Sequence, residues 1–533
     1  MQHKAGFNRD QIRMFSLGQL VENNAMVRVI DAFIDSLDFT EFGFNYFQLN
    51  REGRPPFHPS TMMKIYLYGY QNSIRSCRKL ERACKINIEM MWLIHEQKPH
   101  YKTIANFRKN NSKAFKTVFR YFVAILKEWN LIDGRTIAID SFKIRAQNSL
   151  KNNFNERKIK RHIKYIDNKI EEYEKALDLE DNIDIKKKIA YNQSKKRNYE
   201  KIAEQLKESG DGQISITDPE AKAVVFQRNS VKVGYNIQAA SDGKHKLLIA
   251  ADAGDVNDTK ALAVMVEKVQ LNIGQPTPDN PMDVLADKGY HSGREIKACE
   301  KLNVNTYISP KASSSSKSNP AFAMEAFLYN ETEDTYTCPA NQILHSNGRW
   351  YNKKLDKSGR KSYMVKHYKT KACKDCRLRS ECTKNKSGRI IERTEYAKYI
   401  KENNDRVNQN PNYYRKRQQI IEHQFGTIKR HWHFDYCLTR GKEKVLGETY
   451  LIFTAYNLKR LVSILGFNAI MAKLKALSLA FYHILAVSYS IIILSSKYIV
   501  GTHNPSHRIL SFIYLTESGY CTNSRYAASD VNG

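Results

Sequence analysis

Residues 135–146, RTIAIDSFKIRA, decide the fold. Ile137 and Ile139 alternate with small residues in a short β-branched run, the pattern of a strand, and the run ends by delivering a carboxylate, Asp140. A second apolar run, MDVLAD at 282–287, ends the same way at Asp287 and is followed by the turn residues GYHSG. Between them, GYNIQAASDGKHKLLIAAD (234–252) reads as two strands joined near Asp242 and Gly243. Asp258 then caps a helix whose Leu262, Met265, Val266 and Val269 follow the i, i+3, i+4, i+7 rule. On this reading Asp252, Asp255 and Asp258 serve as hairpin-exit and cap residues. Further on, NPNYYRKRQQIIEHQFGTIKRHW (410–432) reads as a helix with Ile421, Phe425 and Ile428 on its buried stripe. Arg415, Glu422 and Lys429 stand seven apart on a neighbouring face. The order of elements predicts an α/β fold, a mixed sheet with flanking helices.

Toward the N-terminus, FHPSTMMKIYLYGYQNSIRSCRKLERACKINIEMMWLI (57–94) implies several short helices, with Pro59 and Ser60 suited to a helix start and Met62, Ile65, Tyr66 and Gly69 on one face. Arg75, Arg78, Lys79, Arg82 and Lys85 recur at three- and four-residue spacing, which suits a helix docked on phosphates or in a major groove. From Lys151 to about Gly210 the chain is highly charged, and Ile159, Ile163, Ile166, Ile170, Tyr173 and Leu177 alternate spacings of four and three, a heptad seam. A second run through Ile185, Ile189, Tyr199, Ile202 and Leu206 folds back on it as an antiparallel hairpin. Spacer, dimer arm and DNA clamp all fit that hairpin.

Lys plus Arg outnumber Asp plus Glu by 86 to 55 in 533 residues, a formal charge of +31 spread along most of the chain. Such an excess raises repulsion in the folded state unless a polyanion offsets it, and nucleic acid does so. The opening MQHKAGFNRDQIRMF has no secretory pattern, which places the protein in the cytoplasm. Ala476 to Ser496 (ALSLAFYHILAVSYSIIILSS) lacks Asp, Glu, Lys and Arg and is long enough to cross a bilayer. It also carries His483 and several Ser and Tyr, so a buried terminal helix or a foreign tail is expected over a membrane anchor. Of nine cysteines, Cys373 and Cys376 form CxxC, Cys382 follows, and Cys338 lies upstream in TCPA. They read either as a four-thiolate structural zinc site, with His345 and His367 as substitute ligands, or as reduced thiols.

Phosphodiester cleavage without a covalent enzyme intermediate requires an activated nucleophile, a stabilised leaving oxygen and neutralised charge at phosphorus, which two divalent ions supply through a few converging carboxylates. Asp140, Asp287 and Glu422 fit that need, and Arg415, Arg417, Lys429 and Arg430 surround the glutamate. IAIDSFKIRA, DVLADKGYHSG and IIEHQFGTIKRHW, in that order, resemble the three catalytic segments of bacterial insertion-sequence transposases of the DDE class. HPSTMMKIYLYGYQNSIRSCRKLE and ANFRK resemble the helical N-terminal domain those proteins share. The chain is most similar in these segments to the insertion-sequence group numbered eleven eighty-two, and the resemblance runs from about Met14 to Gly466.

The resemblance implies a ribonuclease-H-like catalytic fold, Mg²⁺ or Mn²⁺ held by Asp140, Asp287 and Glu422, and double-stranded DNA as partner, both the terminal inverted repeats and the target. It implies a homo-oligomer in the DNA complex and action at the bacterial nucleoid, with no membrane partner. A same-fold nuclease and an inactive DNA-binding remnant are the alternatives. Some relatives place Tyr, Arg and Lys around the glutamate at set spacing; Lys429 fits, whereas Tyr414 and Arg417 stand one residue upstream and Gln418 takes the arginine position. Arg75, Arg78, Lys79, Arg82, Arg417, Lys429 and Arg430 are the expected DNA contacts. The expected organisation is a helical DNA-binding domain over 1–130 and a catalytic domain from 131–302 and 389–466. A helical hairpin at 151–210 and a cysteine-bearing segment at 303–388 are inserted into it, and an apolar tail occupies 467–533.

Overall fold

The computed structural model describes residues 10–45, 55–180, 182–226, 229–278, 281–310, 319–354 and 362–479. Most of the apolar run at 476–496 and of the loop PKASSSSKSNP (310–320), and the tail beyond residue 479, lie outside the described residues. The chain divides into two compact units, Met1–Ala476 and Leu477–Gly533, and all elements around the candidate site lie in the first.

The N-terminal region is helical, as its periodicity predicts. Helices α1 (Pro59–Gln71), α2 (Cys77–Ile86) and α3 (Ser112–Glu128) bury Tyr66, Tyr70, Phe115, Phe119 and Phe122 completely. Pro59 opens α1 at a position where its missing N–H costs nothing, and His58 accepts from the Ser60 N–H.

The main sheet is built on β1 (Thr136–Arg145), followed in sequence by β2 (Lys222–Val225), β3 (Val231–Asp242), β4 (Leu248–Gly254), β5 (Met282–Ala286) and β6 (Val304–Ile308). Its order is β2–β3–β1–β5–β6, with β4 also paired to β3. β3 is antiparallel to β1, β2 and β4, whereas β5 is parallel to β1 and to β6. As the central strand, β1 is closed on both faces through Ile137, Ala138 and Ile139, all fully buried. Asp140 does not end this strand, because the antiparallel ladder to β3 continues past it to Arg145↔Gly234. The main sheet also runs past residue 303, since Val304–Ile308 pairs with β5.

Helices α4 (Glu156–Leu179) and α5 (Ile183–Ser209) form the charged hairpin inserted between β1 and β2. The pairs His162 with Tyr199, Asp167 with Lys196 and Tyr173 with Lys188 run in opposite order along the two helices, so they are antiparallel. A second sheet holds the strands Leu328–Asn330, Thr335–Thr337, Ile343–Ser346, Tyr351–Lys354, Ser362–Lys369 and Ile391–Thr394 around a small core of Phe327, Tyr336, Leu344, Tyr368 and Ile391.

Helix α6 (Leu262–Ile273) covers the main sheet, α7 (Pro411–Phe425) crosses β1, and α8 (Lys442–Leu465) joins the sheet to the N-terminal helices. Asn457 of α8 exchanges hydrogen bonds of 2.9 and 2.8 Å with the backbone of Leu248, while Phe119 packs on Tyr450 and Phe453. Among the described residues no single helix is long and apolar enough to cross a membrane. One pair, Lys442–Leu465 and Phe467–Leu479, is apolar enough together but bends by 119°.

Candidate active site

The parallel ladder between β1 and β5 stops at Ile139↔Ala286, so the next residue of each chain segment is a carboxylate. Asp140 and Asp287 are thereby brought to adjacent strand positions by register alone. Asp287 accepts from the Gly289 N–H at 2.7 Å and caps the short turn Lys288–Tyr290. A Cβ on Gly289 would stand 2.8 Å from Asp287 Oδ1 and 3.3 Å from Asp258 Oδ2, so this position has no room for a side chain unless a carboxylate moves.

Asp258 is the residue that local pattern misreads. The helix cap is Ala261, without a side-chain bond, and Asp258 turns back to the sheet. Its Oδ1 accepts from Asn236 Nδ2 at 2.8 Å and from Gln238 Nε2 at 2.7 Å, both from buried side chains of β3. Tyr290, completely buried, donates to the other end of Gln238. A buried polar pair on a central strand is the signal that would have pointed to a partner here. Asp252 and Asp255 do not join the cluster; they pair with Lys268 and Lys222.

Helix α7 is fixed over the sheet at both ends. Tyr413 reaches Thr136 Oγ1 at 2.7 Å and Asp283 Oδ2 at 2.8 Å, and Phe425 packs on Phe142 at 4.8 Å. Ile420, Ile421 and Gln424 form the buried stripe, with Gln424 donating to Ser241 Oγ at 2.7 Å. One turn beyond Tyr413, Arg417 Nη1 lies 3.0 Å from Asp140 Oδ2, and its Nη2 lies 3.7 Å from Glu422 Oε1. Glu422 itself is half exposed at 53% of its side chain, and the guanidinium links it to Asp140.

Burial pushes the Asp140 carboxyl up to about 6; Arg417 and the Ser141 N–H pull it down, and Asp287 and Asp258 push it up further. A carboxylate held out of water beside two others creates a demand for positive charge. The donor set is hard oxygen, which suits Mg²⁺ or Mn²⁺. Among the described residues no three ligand-type side chains yet form a closed cation site, and Arg417 supplies the compensating charge between Asp140 and Glu422.

Beside Glu422 opens a groove of about 1130 Å³ whose lining includes Lys143, Arg145, Lys232, Lys429 and Arg430. The helix continues past Phe425 as a π-helical turn, Gly426–His431, that carries the last two. Burial lowers the Lys429 ammonium below the usual lysine range; Asp435 opposes this, and the neighbouring cations Lys143 and Arg430 add to it. Positive charge crowded into a concave surface favours an anion.

The expected DNA-contact helix divides in two. Arg78, Lys79 and Arg82 are exposed on α2, with Arg78 over the Tyr101 ring. Arg75 precedes the helix and is a correction: it is 3% exposed, ion-paired to Glu448 at 2.8 Å, and bonded to the carbonyls of His433 and Tyr436. The chain turns inward before Cys77, which removes Arg75 from the basic face. Cys338, Cys373, Cys376 and Cys382 line one cavity; His345 and His367 do not, and His367 stacks on Tyr351.

Residues 15–110 match the family described as Transposase domain (DUF772), and residues 337–462 match the family described as Transposase DDE domain. The first covers α1 and α2, and the second takes in Cys338, Glu422 and most of α8. Asp140 and Asp287 fall between the two matches. No curated protein and no solved structure matches the chain.

Proposed function

We propose, from the premise that this chain is a DDE-class transposase of the insertion-sequence type, that Asp140, Asp287 and Glu422 carry its phosphodiester chemistry on a ribonuclease-H-like sheet. The observation that carries the reading is the adjacency of Asp140 and Asp287 at the end of one parallel ladder, with α7 laid across β1. Three antiparallel strands followed by two parallel ones, in the order β4–β3–β1–β5–β6, support the fold assignment.

Two divalent ions, when bound, neutralise charge at phosphorus and stabilise the entering and leaving oxygens. The chain's part is to hold and orient. Asp140, on the central strand, would hold the cations together with Asp287 and Glu422, and Asn236 and Gln238 hold Asp258 beside them. Arg417 would exchange its carboxylate partners for a DNA phosphate once cations compensate Asp140 and Glu422. Lys429 and Arg430 would grip the backbone in the groove beside Glu422. The substrates are the terminal inverted repeats of the element and a target duplex. The freed 3′ hydroxyl attacks the target in a second in-line displacement at the same site. A homo-oligomer pairing two ends, acting at the bacterial nucleoid, is what the family resemblance implies for the DNA complex.

Incubation with labelled element ends, supercoiled target DNA and Mg²⁺ or Mn²⁺ tests this reading. Joined products are expected; nicks without joining would support a same-fold nuclease, and intact DNA the binding remnant.

Two further outcomes are expected. Replacing Arg78, Lys79 and Arg82 together by Ala should weaken DNA binding across sequences and lower the salt slope by about one per lost phosphate contact. Fluorescence anisotropy at graded salt checks this, and an unchanged slope would remove α2 from the interface. Asp258→Asn should cut cleavage by about 10- to 100-fold while leaving DNA affinity intact, the scale of losing a group that orients ligands. Wild-type cleavage rates in that variant would return Asp258 to a structural role.

A further inference from the structure

Apart from the carboxylates, one other group of metal-type side chains converges from separate stretches of sequence. Cys338 follows the strand Thr335–Thr337, Cys373 and Cys376 lie in the turn after Ser362–Lys369, and Cys382 ends the short helix Arg379–Cys382. All four line a cavity of about 30 Å³ closed by Phe322, Phe327 and Leu344. The volume excludes a metabolite and admits an ion.

The backbone around these thiols is shaped for sulfur. The loop from Cys338 to Gln342 closes on itself, with Cys338 N–H donating to Gln342 O at 2.9 Å and Asn341 N–H to Cys338 O at 2.8 Å. The Gln342 N–H then points at Cys338 Sγ, 3.4 Å away. Gly388, at φ +89°, passes so close that a Cβ there would stand 2.6 Å from Cys373 Cβ.

We propose that Cys338, Cys373, Cys376 and Cys382 bind one structural zinc ion that pins the second sheet's loops together. Four soft thiolates select zinc over the hard cations suited to the carboxylate site. Among the described residues no three ligand-type side chains stand in a closed cation site, so zinc binding requires the four sulfurs to move closer together. Each thiol that binds gives its proton to solvent, and binding weakens as pH falls. This site rests on no reading of the reaction at Asp140.

The test is metal content of the full chain purified without chelator. About one equivalent of zinc is expected by mass spectrometry, released by a mercurial reagent. Asp140→Asn should retain it, and the double variant Cys373→Ser, Cys376→Ser should lose it. Because a misfolded variant would also lose zinc, cobalt is exchanged into the wild type. Thiolate-to-cobalt charge transfer with tetrahedral ligand-field bands is expected. Wild-type protein without zinc, whose cobalt form shows no thiolate band, overturns the proposal, as does zinc that survives the double substitution.

Discussion

Asp140→Asn is expected to lower DNA cleavage and joining by at least about 10³-fold while leaving binding to the element ends within about twofold. The substitution keeps the size of the side chain and removes a charge that would help hold the cations. It leaves the buried Ile137–Ile139 segment and the ladder to β3 untouched. Asp287→Asn and Glu422→Gln should each do the same, and a double substitution should cost little more than either single one, because the carboxylates act as a unit. Cleavage at wild-type rates in Asp140→Asn would end the carboxylate assignment. The same residue sets a pH dependence. Its carboxyl is raised to about 6, so it is protonated below that pH and must lose the proton to take a cation. Apparent Mg²⁺ affinity should therefore weaken as pH falls through about 6, by up to about tenfold per unit. Titrating Mg²⁺ into the nicking reaction from pH 5 to 8 measures it.

Arg75→Ala is expected to destabilise the fold by about 3–5 kcal/mol, because it removes the nearest partner of the buried Glu448 carboxylate and leaves Arg108, 3.6 Å away, as its remaining cation. The pair is 2.8 Å apart with side chains 2% and 0% exposed, Arg108 lies 3.6 Å from the same carboxylate, and Glu448 also accepts from the Leu438 N–H. Burial would raise the Glu448 carboxyl, but Arg75 and Arg108 outweigh it and hold it below the usual glutamate range. A depressed carboxyl stabilises the fold above the unfolded-state pKa, and that contribution fades as acid drives pH through the lower folded value. Thermal or urea unfolding measures the loss, which should be absent when Arg78, Lys79 or Arg82 is replaced instead. If Arg75→Ala melts like wild type and binds DNA less well, the buried ion pair is not structural.

How much of this was legible in sequence follows from how far each signal reaches. Period-two runs located β1 and β5, the heptad seam located α4 and α5, and the i, i+3, i+4 stripe located α7, because these patterns come from neighbours along the chain. The carboxylates Asp140, Asp287 and Glu422 were named from their local contexts and from ordered segments that resemble a family. What local pattern misassigned are side chains whose partners lie far along the chain. Arg75 has the spacing of a surface helix, yet its partner is 373 residues away. Asp258 has the spacing of a cap, yet its carboxylate is claimed by Asn236 and Gln238 on a strand. Arg417 lies one residue off the pattern of some relatives, yet the crossing of α7 over β1 sets it between Asp140 and Glu422.

The sequence by itself therefore located β1, β5, the charged hairpin and α7 in their order and nominated the carboxylates, since local sterics and apolar periodicity act over a few residues. Only the tertiary structure decided which charges meet. Strand register places Asp287 beside Asp140, helix crossing places Arg417 above them, and burial turns Arg75 from a phosphate contact into an ion-pair partner. These depend on backbone geometry between residues hundreds of positions apart, for which a one-dimensional pattern carries no distance.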